Sequence, residues 1–207
     1  MFEGKTLWDI LQLGGSTMYI LLLCSLVSIT IFLERLFYYG KQSRADRSDF
    51  MARLGEAIAA KNPDKAKEIA KETQTPWARV VQAGLKEYGR SEKIMTGAME
   101  RKIVDETRNL ERFTIVVGTI GNIGLYIGLL GTVLGIVRAF QDIAATGSGG
   151  IGTVIDGVAE ALVCTATGLF VAIPAVIFFN YLTRRVEFFT DDMQVCASEL
   201  CCLLEEE

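Results

Sequence analysis

The stretch Gly157-Val-Ala-Glu160-Ala-Leu-Val-Cys164-Thr165-Ala-Thr167-Gly168-Leu-Phe-Val-Ala-Ile-Pro174-Ala-Val-Ile-Phe-Phe-Asn180-Tyr-Leu-Thr183 carries one carboxylate and then, from Ala161 onward, no Asp, Glu, Lys or Arg. That run meets the ~20 residues a helix needs to cross ~30 Å of hydrocarbon. Outward from it, Phe113 to Val137 and Ile10 to Leu33 are equally free of charge. Half of the residues are hydrophobic, yet the chain holds 21 basic and 25 acidic side chains, so its charges are segregated rather than scarce. The reading is an all-α membrane protein with three transmembrane helices.

The first window reads as a retained anchor. Its leader, Met1 to Asp9, mixes Glu3, Lys5 and Asp9, and no small-x-small cleavage site follows the apolar core. Basic residues set the orientation. Lys41, Arg44, Arg47, Arg53 and many more up to Arg112 follow the first helix, and Arg184 and Arg185 follow the third. The leader offers Lys5, and Arg138 stands at the edge of the loop between the second and third helices. By the positive-inside rule the segment between the first two spans and the carboxyl tail are cytoplasmic, and the leader and loop lie outside. The organisation expected is an outer leader (1–14), transmembrane helix 1 (15–38), a cytoplasmic helical segment (39–112), helix 2 (113–140), an outer loop (141–152), helix 3 (153–183) and a cytoplasmic tail helix (184–207).

A net charge of -4 argues against a nucleic-acid partner, which needs a concentrated basic face. Cys24 and Cys164 lie in apolar windows. Cys196, Cys201 and Cys202 fall in the tail, where a reducing cytoplasm disfavours disulfides. Zinc ligation by the tail cysteines is disfavoured, because CxxC spacing is missing and the chain has no histidine. No nucleophile-base pair or metal constellation supports an enzyme, and no cofactor is expected.

Between the first two spans the helix punctuation is legible. Asn62-Pro63 and Thr75-Pro76 place a capping side chain ahead of a first-turn proline, and Gly89 followed by Ser91 closes one helix and opens the next. Helices are expected near Asp46 to Lys61, Pro63 to Glu72, Pro76 to Tyr88, and from about Glu92. The last meets no proline before the membrane and repeats Met95, Met99, Ile103, Leu110 and Phe113 at multiples of three and four. It is therefore expected to run unbroken into the second span, for roughly 50 residues or ~75 Å. In the tail, Val186, Phe189, Met193, Cys196, Leu200 and Leu203 form a heptad seam, expected to pack within the chain against the helix from Glu92.

Inside the second span Gly118, Gly121, Gly124, Gly128, Gly131 and Gly135 recur at three and four. Such a stripe lets helix backbones approach closely in lipid, so Gly121, Gly124, Gly128, Gly131 and Gly135 read as a packing face. Thr132 sits about 100° around the helix from Gly131, facing something else. On the third span Gly157, Glu160, Cys164, Thr167 and Val171 share a face, whereas Thr165 lies about 140° from Glu160. Pro174 is expected to kink that helix. A carboxylate in hydrocarbon costs roughly 2.5 to 3.5 kcal/mol at mid-helix. Glu160 can be a snorkelling interfacial acid, a hydrogen-bonded acid in a subunit interface, or a pore-lining relay; the last is favoured.

Tyr126-Ile-Gly-Leu-Leu-Gly-Thr132-Val-Leu-Gly-Ile-Val, followed by the Gly157 to Val176 stretch, closely resembles the ExbB/TolQ family, with the flagellar stator protein MotA a more distant relative. The resemblance covers the whole chain in topology and roughly Ile123 to Asn180 in motif, and the Glu34-Arg35 pair ends the first helix as in many members. It implies an ion-channel-forming subunit of a bacterial inner-membrane motor, homopentameric around two copies of a single-span ExbD- or TolR-like partner, that couples the proton-motive force to work on the envelope through a TonB- or TolA-like effector. It implies further that Glu160, Thr132 and Thr165 line the interior near an aspartate of the partner. Leu125 departs from the pattern, standing where many members have a proline, which implies a straighter second helix. A proton load suits one acid and a few hydroxyls better than sodium, which prefers several oxygen ligands. A passive membrane scaffold and a sodium-driven or motility stator are the alternatives.

Overall fold

The computed structural model describes residues 15–43, 45–146 and 151–205. The leader, residues 147–150 of the expected outer loop, and the side chain of Asp156 lie outside the described residues. Seven helices account for nearly all of the described chain: α1 (Gly15–Gln42), α2 (Arg47–Ala59), α3 (Pro63–Glu72), α4 (Pro76–Lys86), α5 (Glu92–Glu111), α6 (Thr114–Thr146) and α7 (Ile151–Glu205). Three of them, α1, α6 and α7, are long and apolar enough to cross a membrane. Helix is the economical choice for such segments, since lipid offers no partner to a backbone N–H or C=O and a helix satisfies them within itself. α7 continues through Pro174, and α6 through Leu125.

The chain divides into two compact units. The membrane unit comprises the residues through Leu33 together with Phe113–Asn180. There α1 packs on α7, with Phe32 and Phe178 stacked at 4.0 Å between ring centroids and the Thr17 hydroxyl 3.9 Å from the Cys164 sulfur.

The second unit comprises Glu34–Arg112 and Tyr181–Glu207. Its short helices begin where local chemistry directs. The Asp46 carboxylate accepts from the Ser48 amide at 2.9 Å, Asn62 from Lys65 at 3.1 Å and Thr75 from Ala78 at 3.4 Å. Each satisfies an amide that the first helical turn leaves without an internal acceptor. Gly89 takes φ +83° after α4, a conformation glycine adopts without cost. Ser91 occupies the N-cap of α5 without a side-chain cap bond; its carbonyl accepts from Ile94 and Met95 instead.

The core of this unit is assembled from many elements. Val186, Phe189, Met193, Cys196 and Leu200 are buried, and Leu203 is half-buried. The seam meets more than the helix from Glu92. Phe189 packs on Tyr39 of α1, Leu200 and Met99 close on Gly84 of α4, and Leu203 lies over Gly55 of α2. Beside it, buried Glu106 accepts from Arg79 at 2.6 Å and pairs with Lys102 at 2.8 Å, tying α4 to α5. Burial works against the charged carboxylate, but the hydrogen bonds and charge of Arg79 and Lys102 outweigh it and hold its pKa below the ordinary glutamate value. Burial pushes the Cys196 thiol up to about 12 against the opposing charge of Arg47, so it stays neutral and unreactive at physiological pH.

One expectation is corrected. The helix from Glu92 does not run unbroken into the second span: α5 ends at Glu111, and α6 starts anew at Thr114. Phe113 between them has φ 65°, left-handed backbone that a bulky residue adopts at a cost. The cause lies on α1. The buried Arg35 guanidinium, held by Glu34 at 2.6 and 2.9 Å, donates to the Asn109 carbonyl at 3.0 Å, and the Tyr39 hydroxyl donates to the Leu110 carbonyl at 2.8 Å. Those carbonyls are among the last four of α5, which would otherwise accept amides of a continuing helix. A cation at the negative end of the helix dipole adds to the stop.

Candidate functional site

The glycines of α6 decide the geometry of the membrane unit. Gly118 faces Phe179, Gly121 faces Val176, Gly124 faces Ala172, Gly128 faces Gly168, Gly131 faces Cys164 and Gly135 faces Ala161, while Gly157 faces Ala139. Numbers rise along one helix as they fall along the other, so α6 and α7 form an antiparallel pair joined by one small-residue seam. In lipid, where apolar side chains gain little by leaving their surroundings, contact at close range supplies the attraction.

An added Cβ comes nearest to backbone atoms between Gly128 and Gly168. A Cβ built on Gly168 would lie 2.8 Å from the Gly128 Cα and 2.8 Å from the Gly124 carbonyl oxygen, and one on Gly128 would lie 3.0 Å from the Gly168 Cα. These are backbone atoms, with no flexible end to move aside. Gly168 was quoted in the sequence motif without a packing role; its partner is set by interhelical register, which spacing along one helix does not reveal.

The close approach brings two hydroxyls together. Thr165 of α7 can donate to the Gly128 carbonyl at 3.2 Å or to the Thr132 hydroxyl of α6 at 3.4 Å. Thr132 donates to the Leu129 carbonyl on its own helix at 2.6 Å, leaving its oxygen lone pairs to accept. Thr132 is buried and Thr165 half-buried, and both sit beside the glycine seam. Glu160 is half-buried on the same helix as Thr165. The register of α7 places it a turn and a half earlier, about 7.5 Å along the axis, next to Ala161, which meets Gly135. Thr167 on the Glu160 face returns its hydroxyl to the Val163 carbonyl at 2.9 Å.

Sequence reasoning missed Thr17. It is buried against Cys164, and its hydroxyl lies 3.1 Å from where a Gly131 Cβ would be. It adds a polar group from α1 at the level of the Gly131 contact. Nothing in the first apolar window marks Thr17 apart from its neighbours Ser16 and Ser28. Chemically, the arrangement offers paired hydroxyls and a carboxylate between helices, able to donate to and accept from water or a passing proton carrier. Threonine hydroxyls do not titrate, so Glu160 is the group of this set able to hold a proton.

Comparison with known proteins agrees with the geometry. The family described as the MotA/TolQ/ExbB proton channel family matches residues 72–195, taking in α4 to α6 and most of α7. The Tol-Pal system protein TolQ of Pseudomonas aeruginosa is 35% identical over 140 residues, 62% of this chain and 61% of that protein. The biopolymer transport protein ExbB of Neisseria gonorrhoeae is 32% identical over 171 residues, 73% of this chain and 78% of its own length. With the ExbB of Pseudomonas putida the identity is 35% over 109 residues, 53% of this chain and 33% of that protein. The matched regions thus span about three fifths of the TolQ protein and a third of the Pseudomonas putida ExbB.

Proposed function

The chain belongs to the MotA/TolQ/ExbB proton channel family, and from that premise we propose that it is the channel-forming subunit of a bacterial inner-membrane motor. It works with a single-span partner of the ExbD or TolR kind and turns the proton-motive force into mechanical work on the cell envelope. It is not an enzyme and uses no cofactor. Its amino terminus lies outside and its second unit in the cytoplasm, as the distribution of Lys and Arg around the spans favours. Five copies surround two partner spans, whose membrane aspartate faces the path formed by Glu160, Thr132 and Thr165.

The observation that carries this reading is the Thr132–Thr165 hydroxyl pair, 3.4 Å apart beside the Gly128–Gly168 contact of α6 and α7. Each hydroxyl donates within the protein, so the pair is tolerated in lipid, and its oxygen lone pairs stay able to accept from water or a proton donor. Glu160 nearby adds a group whose charge is expensive there. One charge crossing 100 mV releases about 2.3 kcal/mol, so each proton supplies a small step and work accumulates over several.

The test is proton uptake by proteoliposomes holding the complex with its single-span partner under an imposed potential. Glu160→Gln and Glu160→Ala should each abolish flux with subunit stoichiometry unchanged by native mass spectrometry. Full flux in both variants removes the relay role. Thr132→Val and Thr165→Val keep the shape and remove the hydroxyl; each should lower flux about fivefold, the worth of one ~1 kcal/mol hydrogen bond. Flux that requires sodium would reassign the load.

A further inference from the structure

We propose that the groove between α5 and the far end of α7 docks a basic amphipathic helix, about three turns long, presented by a partner protein. The groove is an open cavity of about 540 Å³ within the second unit. Met99 forms its floor, Thr96, Ile103 and Val104 one wall, and Ala197 and Cys201 the other. Met99 is buried whereas Val104 is 49% exposed, so the apolar lining opens to solvent.

The charges at the groove are predominantly acidic. Glu92 and Glu100 line it. Steps of three and four along α7 through Gln194, Ser198 and Cys201 put Asp191 at one end of the wall and Glu205 at the other. The same steps along α5 add Lys93 and Arg108, leaving four acids to two bases. All four carboxylates belong to exposed residues, and among the described residues none is in an ion pair. An apolar trough edged by unpaired acids complements a helix with an apolar stripe flanked by Lys or Arg. From Glu92 to Val104 the α5 wall runs about 18 Å, room for roughly twelve helical residues.

A second copy of this chain is a poor occupant. Its Lys-rich helix α3, with Lys65, Lys67 and Lys71, already buries its apolar residues Ala66, Ile69 and Ala70. An anionic lipid surface would be repelled by the acidic rim. The groove shares no residue with the Thr132–Thr165 pair, so it stands apart from the proton path.

The experiment uses the full chain in nanodiscs of zwitterionic lipid. The probe is a peptide of about twelve residues, with leucines at three and four spacing, lysines elsewhere and a photoreactive group; empty nanodiscs serve as the control. Binding should saturate, photo-cross-link to the α5 and α7 walls, and weaken roughly tenfold in the Glu92→Lys/Glu100→Lys double variant. Ala197→Trp should fill the trough and abolish binding. Because tryptophan can also disturb the packing of α7, the charge-reversed exposed pair carries the test independently. Three results overturn the proposal: affinity within twofold of the parent in the charge-reversed variant, cross-links outside the groove, or equal binding of a scrambled peptide. A change of subunit number in Ala197→Trp would mark the groove as a self-interface and also overturn it.

Discussion

In the membrane unit α6 and α7 meet backbone to backbone at Gly128 and Gly168, whereas in the second unit α4 meets α5 and α7 through the flexible ends of Met99 and Leu200 against Gly84. The nominal clash of an added Cβ is nearly the same, 2.8 Å at Gly168 and 2.7 Å at Gly84. What differs is what must yield. At Gly168 the obstacles are a Cα and a carbonyl oxygen, so relief requires moving a helix. At Gly84 they are a thioether and a leucine methyl, which can rotate. Each solution suits its solvent: lipid gives apolar side chains little reason to associate, so backbones close in, while water drives large side chains together and leaves their fit adjustable.

The largest break in this comparison is Gly168→Ala. It should cost about 3 kcal/mol or more and, by separating the Thr132 and Thr165 hydroxyls, lower proton flux as well. Thermal unfolding in detergent and flux in proteoliposomes read the two effects. Next comes Glu106→Gln, which removes the charge that Arg79 and Lys102 share. We expect a loss of roughly 2 kcal/mol at neutral pH. The pKa of Glu106 is lowered in the folded state, so its contribution is full above the ordinary glutamate pKa and is lost as pH falls through the lowered value. The parent should therefore lose stability in acid by a component that Glu106→Gln lacks, visible in denaturant titrations across pH 3 to 7, a window set by the ~4.3 reference value for glutamate. Gly84→Ala comes third at about 1 kcal/mol; a loss matching that of Gly168→Ala would erase the distinction drawn between the units. The smallest effect runs the other way. Lys61 has φ 54° at the end of α2, and Lys61→Gly should gain about 0.5 to 1 kcal/mol by relieving that backbone, measured as a raised midpoint.

How much of this was legible in the sequence depends on how far apart the causes lie. Asn62-Pro63, Thr75-Pro76 and Asp46 announce helix starts because donor and acceptor sit within three residues of each other, and the structure begins α2, α3 and α4 there. The seam from Val186 to Leu203 was readable from its heptad spacing, although its partners on α1, α2 and α4 were not. The end of α5 was invisible locally, because Arg35 reaches Asn109 across 74 residues of sequence. The threonine pair had the same difficulty. The angle between Glu160 and Thr165 on one helix gave no sign that Thr165 would meet Thr132, 33 positions away, since the register set at Gly128 and Gly168 places them together.

The interleaving of the two units has a consequence during synthesis. Residues 34–112 leave the ribosome early, yet the buried Met193, Cys196 and Leu200 that finish their unit follow only after the second and third crossings have been made. Until then Gly84 and Met99 wait without Leu200, and their apolar surface stays open to chaperones and proteases. Completion of the second unit therefore waits on the synthesis of both of the membrane-length helices α6 and α7.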